Sequence, residues 1–547
     1  MSTIDGFPKR AVNIVLRAAV RVLMPVVLLL AAACDIRTDR GAAPDPEAGD
    51  REASPTPREL PPAADATPHT SPSPVSTATT SHVDADPTPP SAELSRTGPW
   101  LVGEGDAGPV VINPDGSGYR RLFAEHSQNY PWRGFAVSTR GWVAAYVDET
   151  VTGVPRIVFT QLPNTSAQLD VPILSQELSN GLANWQEAYD PDDAQDVYSA
   201  LRISRGDSTL QWSPDGETLA FVAALDGPSA DLYSYNIKTE VLIRLTDGPN
   251  SPLLRGWSPD GKWILHQEIS GIHRGLENAI SFRTHGIWAA AADGSSSVRA
   301  PDVKLPFIYL GWISATEFLA LQGVDRHYDL DYFGLELYDI DAGSQRLYYA
   351  GSVGLHAFDP QSGAIAFVPI RQGLEPRNTL EDGLYLVSPS EPVPRPIGFH
   401  EYFEYPEDRH VRSIKWVPGL GAFVSQLRNG KLLAIRPDGE IVLDLDGICE
   451  SPRVSPSEEI FAHRGCSVYF DQIEVRDWSG RLIQDFRLDW DDLWFWAHDS
   501  AGIYFVRHRS SQLNLIALDA DAPRVIHANA FVSYGGQAPQ WVVGNGE

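Results

Sequence analysis

The stretch WSPDG occurs twice in this sequence, at residues 212–216 and again at residues 257–261. In Ser-Pro-Asp-Gly, proline presets φ at the second position of a reverse turn, and glycine accepts a positive φ at its end. Apolar residues flank both copies, which predicts that each turn joins two strands. We therefore interpret both copies as structural rather than catalytic, with the tryptophans as packing residues: Trp212, Ser213, Pro214, Asp215, Gly216, Trp257, Ser258, Pro259, Asp260 and Gly261.

Each copy begins a unit of four short apolar segments separated by turn residues. From Leu210 the segments are LQWSPDG, TLAFVAA, DLYSYN and VLIRLT, and a similar order follows from Leu254. Weaker copies begin at Phe135, Tyr309, His356, Ile414, Pro452 and Trp494. Four-strand units repeated about every 40 to 55 residues are typical of the blades of a β-propeller. The sequence thus predicts an all-β fold with a single propeller.

The number of blades follows from counting these units. Eight units are complete, and a ninth is split: PWLVGEG, PVVINPDG and YRRLF supply three strands, and PQWVV near the C-terminus supplies the fourth. Such a closure joins the two ends of the ring and removes its free sheet edges. A literal count gives nine blades, but nine is rare and a weak unit is easily miscounted. We predict eight, with seven and nine left open.

The repeat resembles the WD40-like repeats of the TolB type, whose pattern is W-S-P-D-G-x-x-apolar-A-F. The first copy matches through Phe221, whereas the second, from Trp257 to Leu265, departs at its last positions. The resemblance implies a propeller that is usually located outside the cytoplasm. It implies no activity.

The N-terminal region predicts export and lipid attachment. Basic residues precede an apolar run that ends in LAAAC at Cys34, and this run is too short to span a bilayer. LAAAC resembles the lipobox of bacterial lipoproteins, although Ala31 stands where that family usually has leucine. We expect a signal peptide over residues 1–33, a lipidated Cys34 that begins a disordered linker rich in Pro, Thr, Ser and Ala over residues 34–97, and the propeller over residues 98–547. Plain secretion or an uncleaved anchor is the alternative.

Charge and missing motifs exclude several classes of function. The chain has 43 basic and 71 acidic side chains, a net charge of −28, which disfavours a nucleic-acid partner. No hydrolase, zinc-protease or nucleotide-binding motif stands in a fitting context. We expect no cofactor, no metal and a monomer. The acidic run DPDDAQD at residues 190–196 offers oxygen ligands for calcium, so a calcium site is left open. It lacks, however, the fixed glycine and final glutamate of a calcium loop.

The strand order predicts where a binding site lies. The turns between the first and second strands are tight, whereas long segments collect at the other end of the blades: about residues 172–208, 267–284, 322–333, 370–382 and 400–411. Long loops on one end of a rigid scaffold are a common place for binding. These loops carry a basic and aromatic set, which is either a binding surface or a group of unrelated solvated residues: Arg274, Arg283, Arg326, His327, Tyr328, Arg371, Arg377, Tyr402, Tyr405 and Arg409.

The remaining cysteines, Cys449 and Cys466, flank a predicted hairpin that turns near residues 456–459. A ladder centred there places them opposite each other, and outside the cytoplasm such a pair oxidises. We predict a disulfide, with two buried thiols as the alternative. The aromatic run Trp490, Trp494, Phe495 and Trp496 is interpreted as core rather than as a carbohydrate platform.

The leading functional hypothesis is a lipid-anchored scaffold in the cell envelope that binds a protein, peptide or glycan through its long loops. The alternative is a propeller hydrolase or lyase that acts on an extracellular glycan, because such enzymes build their sites from scattered Asp, Glu, Arg and Tyr. Two or more carboxylates that converge with Arg or His near the axial channel would favour the enzyme.

Overall fold

A computed structural model of the chain describes residues 79–80, 93–105, 108–123, 134–147, 156–165, 168–175, 210–226, 229–274, 280–300, 307–326, 329–369, 380, 383–398, 411–465, 472–489, 492–507, 510–520, 522–528, 531 and 539–543. Within residues 270–285 and 323–333 only the backbone is described. All of these residues belong to one compact unit, Thr70–Glu547. No helix in this part of the chain is long and apolar enough to cross a bilayer.

The described residues form short β-strands throughout. In the first part of the chain the strands are β1 (Thr79–Thr80), β2 (Trp100–Gly105), β3 (Gly108–Ile112), β4 (Arg120–Arg121), β5 (Phe135–Val137), β6 (Trp142–Val147), β7 (Arg156–Gln161), β8 (Gln168–Pro172), β9 (Gln211–Trp212), β10 (Thr218–Ala223), β11 (Asp231–Asn236), β12 (Val241–Arg244), β13 (Ser251–Trp257), β14 (Trp263–Arg274), β15 (Ile280–Ala291), β16 (Ser297–Arg299), β17 (Phe307–Trp312), β18 (Glu317–Arg326), β19 (Asp329–Asp339) and β20 (Ser344–Phe358).

The second part continues the same pattern to the C-terminal strand. Its strands are β21 (Ile365–Pro369), β22 (Leu384–Val387), β23 (Arg395–Gly398), β24 (Val411–Val417), β25 (Ala422–Leu427), β26 (Leu432–Ile435), β27 (Ile441–Leu445), β28 (Arg453–Val454), β29 (Ile460–Arg464), β30 (Gln472–Asp477), β31 (Leu482–Arg487), β32 (Leu493–Trp496), β33 (Gly502–Arg507), β34 (Gln512–Ala517), β35 (Arg524–His527) and β36 (Gln540–Val542).

These strands form nine blades of four antiparallel strands within the described residues. From the inner to the outer edge, blade 1 is β36-β2-β3-β4, and blades 2, 3 and 4 are β5–β8, β9–β12 and β13–β16. Blades 5 and 6 share β20 in one seven-stranded sheet from β17 to β23. Blades 7, 8 and 9 are β24–β27, β28–β31 and β32–β35. The propeller fold is confirmed, and its nine blades match the literal repeat count rather than the preferred eight.

The shared strand β20 is long enough to serve two blades. Its residues 344–352 pair with β19 as the outer strand of blade 5. Its residues 353–358 pair with β21 as the inner strand of blade 6, after a register shift between Val353 and His356. The strand is continuous, so no loop separates these two blades.

The ring is closed by the C-terminal strand. Trp541 in β36 pairs with Leu101 in β2, and Val542 pairs with Trp100, so the last strand supplies the inner edge of blade 1. Packing begins before residue 98, since Leu94 is buried against the blade 1 core. The indole of Trp100 also donates a hydrogen bond of 2.8 Å to the carbonyl oxygen of Ser95. Within the predicted linker, β1 pairs with the outer strand β8.

The core is a series of apolar layers between neighbouring blades. Between blades 2 and 3, for example, Phe159 and Tyr235 pack at 5.4 Å between ring centroids. The inner strands are also tied to each other through indole N–H groups. Trp212 donates to the carbonyl of Ala136, 3.2 Å away in blade 2, and Trp257 donates to that of Gln211, 2.9 Å away in blade 3.

The two WSPDG turns have matching hydrogen bonds. In the first, the Ser213 hydroxyl donates to the Asp215 carboxylate, which also accepts from the backbone N–H of Glu217 at 3.0 Å. Ser258 and Asp260 repeat the first contact at 2.7 Å. Burial opposes ionisation of both aspartates, but these hydrogen bonds outweigh it and lower their pKa. Both carboxylates are therefore ionised and engaged within the turn.

The glycines of the two motifs allow a matched test of this geometry. Gly216 and Gly261 share a φ of +71°, which any residue with a Cβ adopts at a cost of about 1–2 kcal/mol. A Cβ on Gly216 would lie 2.6 Å from the Thr139 hydroxyl, whereas on Gly261 its nearest neighbour is at 3.7 Å. We expect Gly216→Ala to lower the free energy of unfolding in urea more than Gly261→Ala does. Equal losses would contradict this, and Thr139→Ala should remove the excess.

Candidate binding faces of the propeller

Two neighbouring blades carry hairpins that extend far beyond their sheets. Strands β14 and β15 have 12 residues each, and β18 and β19 have 10 and 11, whereas the corresponding strands of blade 3 have six. The six additional residues of β14 and β15 correspond to roughly 20 Å of strand. Two segments predicted as long loops, residues 267–284 and 322–333, are thus largely paired strands. Their alternating pattern was missed because register shifts interrupt it after His266 and Leu321.

The backbone places three of the ten predicted binding residues on these two hairpins. Arg274 ends β14 and pairs with Ile280, and Arg283 pairs with Gly271. These two positions lie on opposite faces of the hairpin, because their pairs are three steps apart in the ladder and faces alternate at each step. Arg326 ends β18 opposite Asp329. The other seven lie outside the described residues: His327, Tyr328, Arg371, Arg377, Tyr402, Tyr405 and Arg409.

The remaining candidates separate into core residues and residues outside the described ranges. Trp494 and Trp496 are buried between blades 8 and 9, as predicted for core. Trp490 and the acidic run at residues 190–196 lie outside the described residues. In the ranges that are described, no group of three or more His, Cys, Asp or Glu side chains could hold a metal ion.

The inner strands carry basic rather than acidic residues, in contrast to the whole protein. As described, the inner strands of the nine blades contain four basic residues and no Asp or Glu. Arg453 is held over the Trp494 ring at 4.1 Å and lies 3.6 Å from the carboxylate of Glu450, just before its strand. Arg255 donates to the Gln267 side chain at 2.6 Å, and Arg412 to the carbonyl of Cys449 at 2.7 Å. The fourth, Lys415, is exposed.

A cavity of about 540 Å³ that is widely open to solvent lies along the inner strands of blades 5, 6 and 7. It is at the end where the tight turns lie, because its lining includes turn residues. This is the end opposite to the long loops on which the sequence predicts the binding residues. The lining residues are Leu310, His356, Ala357, Phe358, Pro360, Ile414, Lys415, Trp416 and Pro418. Burial lowers the pKa of His356, although its contact with the carbonyl of Gly354 opposes the shift, so the ring is neutral at pH 7.

Cys449 is disulfide-bonded, and its partner lies outside the described residues. The hairpin register, with Arg453 opposite Ala462, extrapolates to Cys449 opposite Cys466. Nearer the cysteines, however, Ile448 bridges Gly465, so the ladder shifts before it reaches them. The pairing of Cys449 with Cys466 stays a prediction.

The fold defines the class: a nine-bladed β-propeller whose described inner strands carry basic and apolar residues. No protein-family model matches the chain. An uncharacterized peptidase, YuxL, of Bacillus subtilis is 44% identical over 55 residues, which are 10% of this chain and 8% of that protein. An uncharacterized protein of Agrobacterium fabrum is 29% identical over 141 residues, which are 24% of this chain and 43% of that protein. The chain thus spans less than half the length of these two relatives.

Solved propellers are similar at low identity. A eukaryotic initiation factor has a TM-score of 0.49 at 10% identity, covering 81% of this chain and 98% of that one. AztD of Citrobacter koseri has a TM-score of 0.41 at 11% identity, with 82% and 98% covered. TolB of Acinetobacter baumannii has a TM-score of 0.25 at 15% identity, with 54% and 64% covered. At such identities the likeness concerns the fold alone.

Replacing Cys466 tests the predicted disulfide. We expect Cys466→Ser to expose one additional reactive thiol, that of Cys449, in the denatured protein without reductant. We also expect it to lower the free energy of unfolding by about 3 kcal/mol, as for a loop of this length. Thiol labelling and urea denaturation measure the two effects, and Cys34→Ser is the control. If Cys449 stays unreactive in the Cys466→Ser protein, its partner is another thiol.

Proposed function

We propose that this chain is a lipid-anchored protein of the cell envelope whose propeller binds a protein, peptide or glycan at its long-loop end. The observation that carries the proposal is the pair of extended hairpins on blades 4 and 5. At the opposite end the described residues form no such extensions. In blades 2–5 and 7–9 the turns between the first and second strands have only four or five residues. Paired strands hold Arg274, Arg283 and Arg326 on ordered backbone rather than on free loops.

The geometry supports binding more than catalysis. Carboxylates that converge with Arg or His at the axial channel would favour the hydrolase or lyase, and the described inner strands carry no Asp or Glu. The two motif aspartates, Asp215 and Asp260, are engaged in their own turns. Among the described residues, the feature that the glycan-degrading alternative has in its favour is Glu450, which lies just before the inner strand of blade 8 and pairs with Arg453 at 3.6 Å and with Arg464 at 3.0 Å.

Photo-crosslinking in cells tests the binding end. A photoreactive amino acid at position 274 or 326 should give a discrete adduct, because both positions lie near the tips of the extended hairpins. The matched control is position 238, since Lys238 is exposed in a turn at the opposite end of blade 3. Arg326→Glu should weaken the adduct formed from position 274. Adducts of equal intensity from 238 and 326, or cleavage of a glycan panel by the purified protein, would contradict the proposal.

Membrane attachment is tested separately at Cys34. We expect the wild-type protein to incorporate a labelled fatty acid and to sediment with membranes, because the lipid chain supplies the anchor. Cys34→Ser should abolish the label and release the protein from membranes. Cys449→Ser is the control for a general effect of cysteine loss. A Cys34→Ser protein that still sediments would show that another segment holds it.

A further inference from the structure

The cavity between blades 5, 6 and 7 has the size of a small-molecule site. Its volume of about 540 Å³ falls within the range of roughly 300–1,000 Å³ that is usual for such pockets. It is formed by three inner strands, β17, β20 and β24, together with Pro360 and Pro418 from the turns that follow β20 and β24. A rigid ladder therefore holds each wall, which reduces the entropic cost of binding.

The walls of the cavity are mainly apolar. Phe358 and Trp416 line it with partly exposed rings, and Leu310 adds an aliphatic side chain. A ligand with a flat apolar body would cover Leu310, Phe358 and Trp416.

One cation stands at the edge of this apolar surface. Lys415 lines the cavity and is exposed. Other lysines of the propeller have carboxylate partners: Lys431 lies 2.5 Å from Asp444, and Lys238 lies 2.6 Å from Glu217. Among the described residues no carboxylate is within ion-pair distance of Lys415. The neighbouring His356 is uncharged at pH 7, so Lys415 supplies the charge that a ligand would meet.

We propose that this cavity binds a small organic anion with a flat apolar body, of the type of an aromatic carboxylate. Phe358, Trp416 and Leu310 contact the apolar body, and the ammonium of Lys415 pairs with the carboxylate. The site lies at the tight-turn end, so it is independent of the partner binding proposed for the extended hairpins.

The test measures binding of 2-naphthoate by calorimetry. The protein is the full chain with Cys34→Ser, which needs no detergent if Cys34 carries the only anchor. We expect saturable binding at one site per chain, about two- to fivefold tighter than that of the uncharged 2-naphthamide, as one exposed ion pair provides. Absence of saturable binding, or equal affinity for the amide, would overturn the proposal.

Substitutions of Lys415 assign the contact. Lys415→Met should lower the affinity for 2-naphthoate to that of the amide. Lys415→Glu should reverse the preference, so that 2-naphthylmethylammonium binds more tightly than 2-naphthoate, which loss of folding would not produce. Arg412→Met is the matched control, since Arg412 is an exposed cation on the same strand that does not line the cavity. A loss with Arg412→Met equal to that with Lys415→Met would refute the assignment.

Discussion

The pairing of β36 with β2 is the constraint on which the rest of the ring depends. Three residues, Gln540–Val542, join the last strand to a blade whose other strands begin more than 400 residues earlier. The indole of Trp541 adds a hydrogen bond of 2.8 Å to the carbonyl of Trp496 in blade 9. One residue thus closes a ladder and ties two blades together. Without this closure, blades 1 and 9 would each expose an apolar face, and β2 would be a free edge.

A recurrent position in the inner strands explains how much of the fold the sequence could predict. The residue that pairs with the start of the second strand is Trp212, Trp257, Trp312, Trp416 and Trp496 in five blades and Phe358 in a sixth. A large side chain there fills the wedge between neighbours, so its spacing predicts blades even where Ser-Pro-Asp-Gly is absent. The literal count of nine units agrees with the nine blades, and the preference for eight came from the rarity of nine-bladed propellers rather than from the sequence.

Neither candidate site could be predicted as completely as the fold. The extended hairpins looked like loops because β-bulges interrupt their alternation, and a bulge shifts the apolar pattern by one residue. The cavity was hidden for a different reason. Leu310, Phe358 and Trp416 each look like core residues of separate repeats, about 50 residues apart. They share a surface only because nine blades, arranged in a ring, leave their inner edges partly uncovered.

Charge then limits what can occupy that surface. The protein as a whole is strongly acidic, so its long-range field repels anions, but at physiological salt this field decays over about 8 Å. The one charged side chain that lines the cavity is Lys415, and of the three further cations on the described inner strands Arg453 is paired with Glu450. A small hydrated anion gains only a weak, exposed ion pair there. An anion with an apolar body also covers Phe358 and Trp416, at about 25 cal/mol per Å² of apolar surface removed from water. The apolar residues of the cavity therefore favour ligands that have an apolar body, and Lys415 favours those that carry a negative charge.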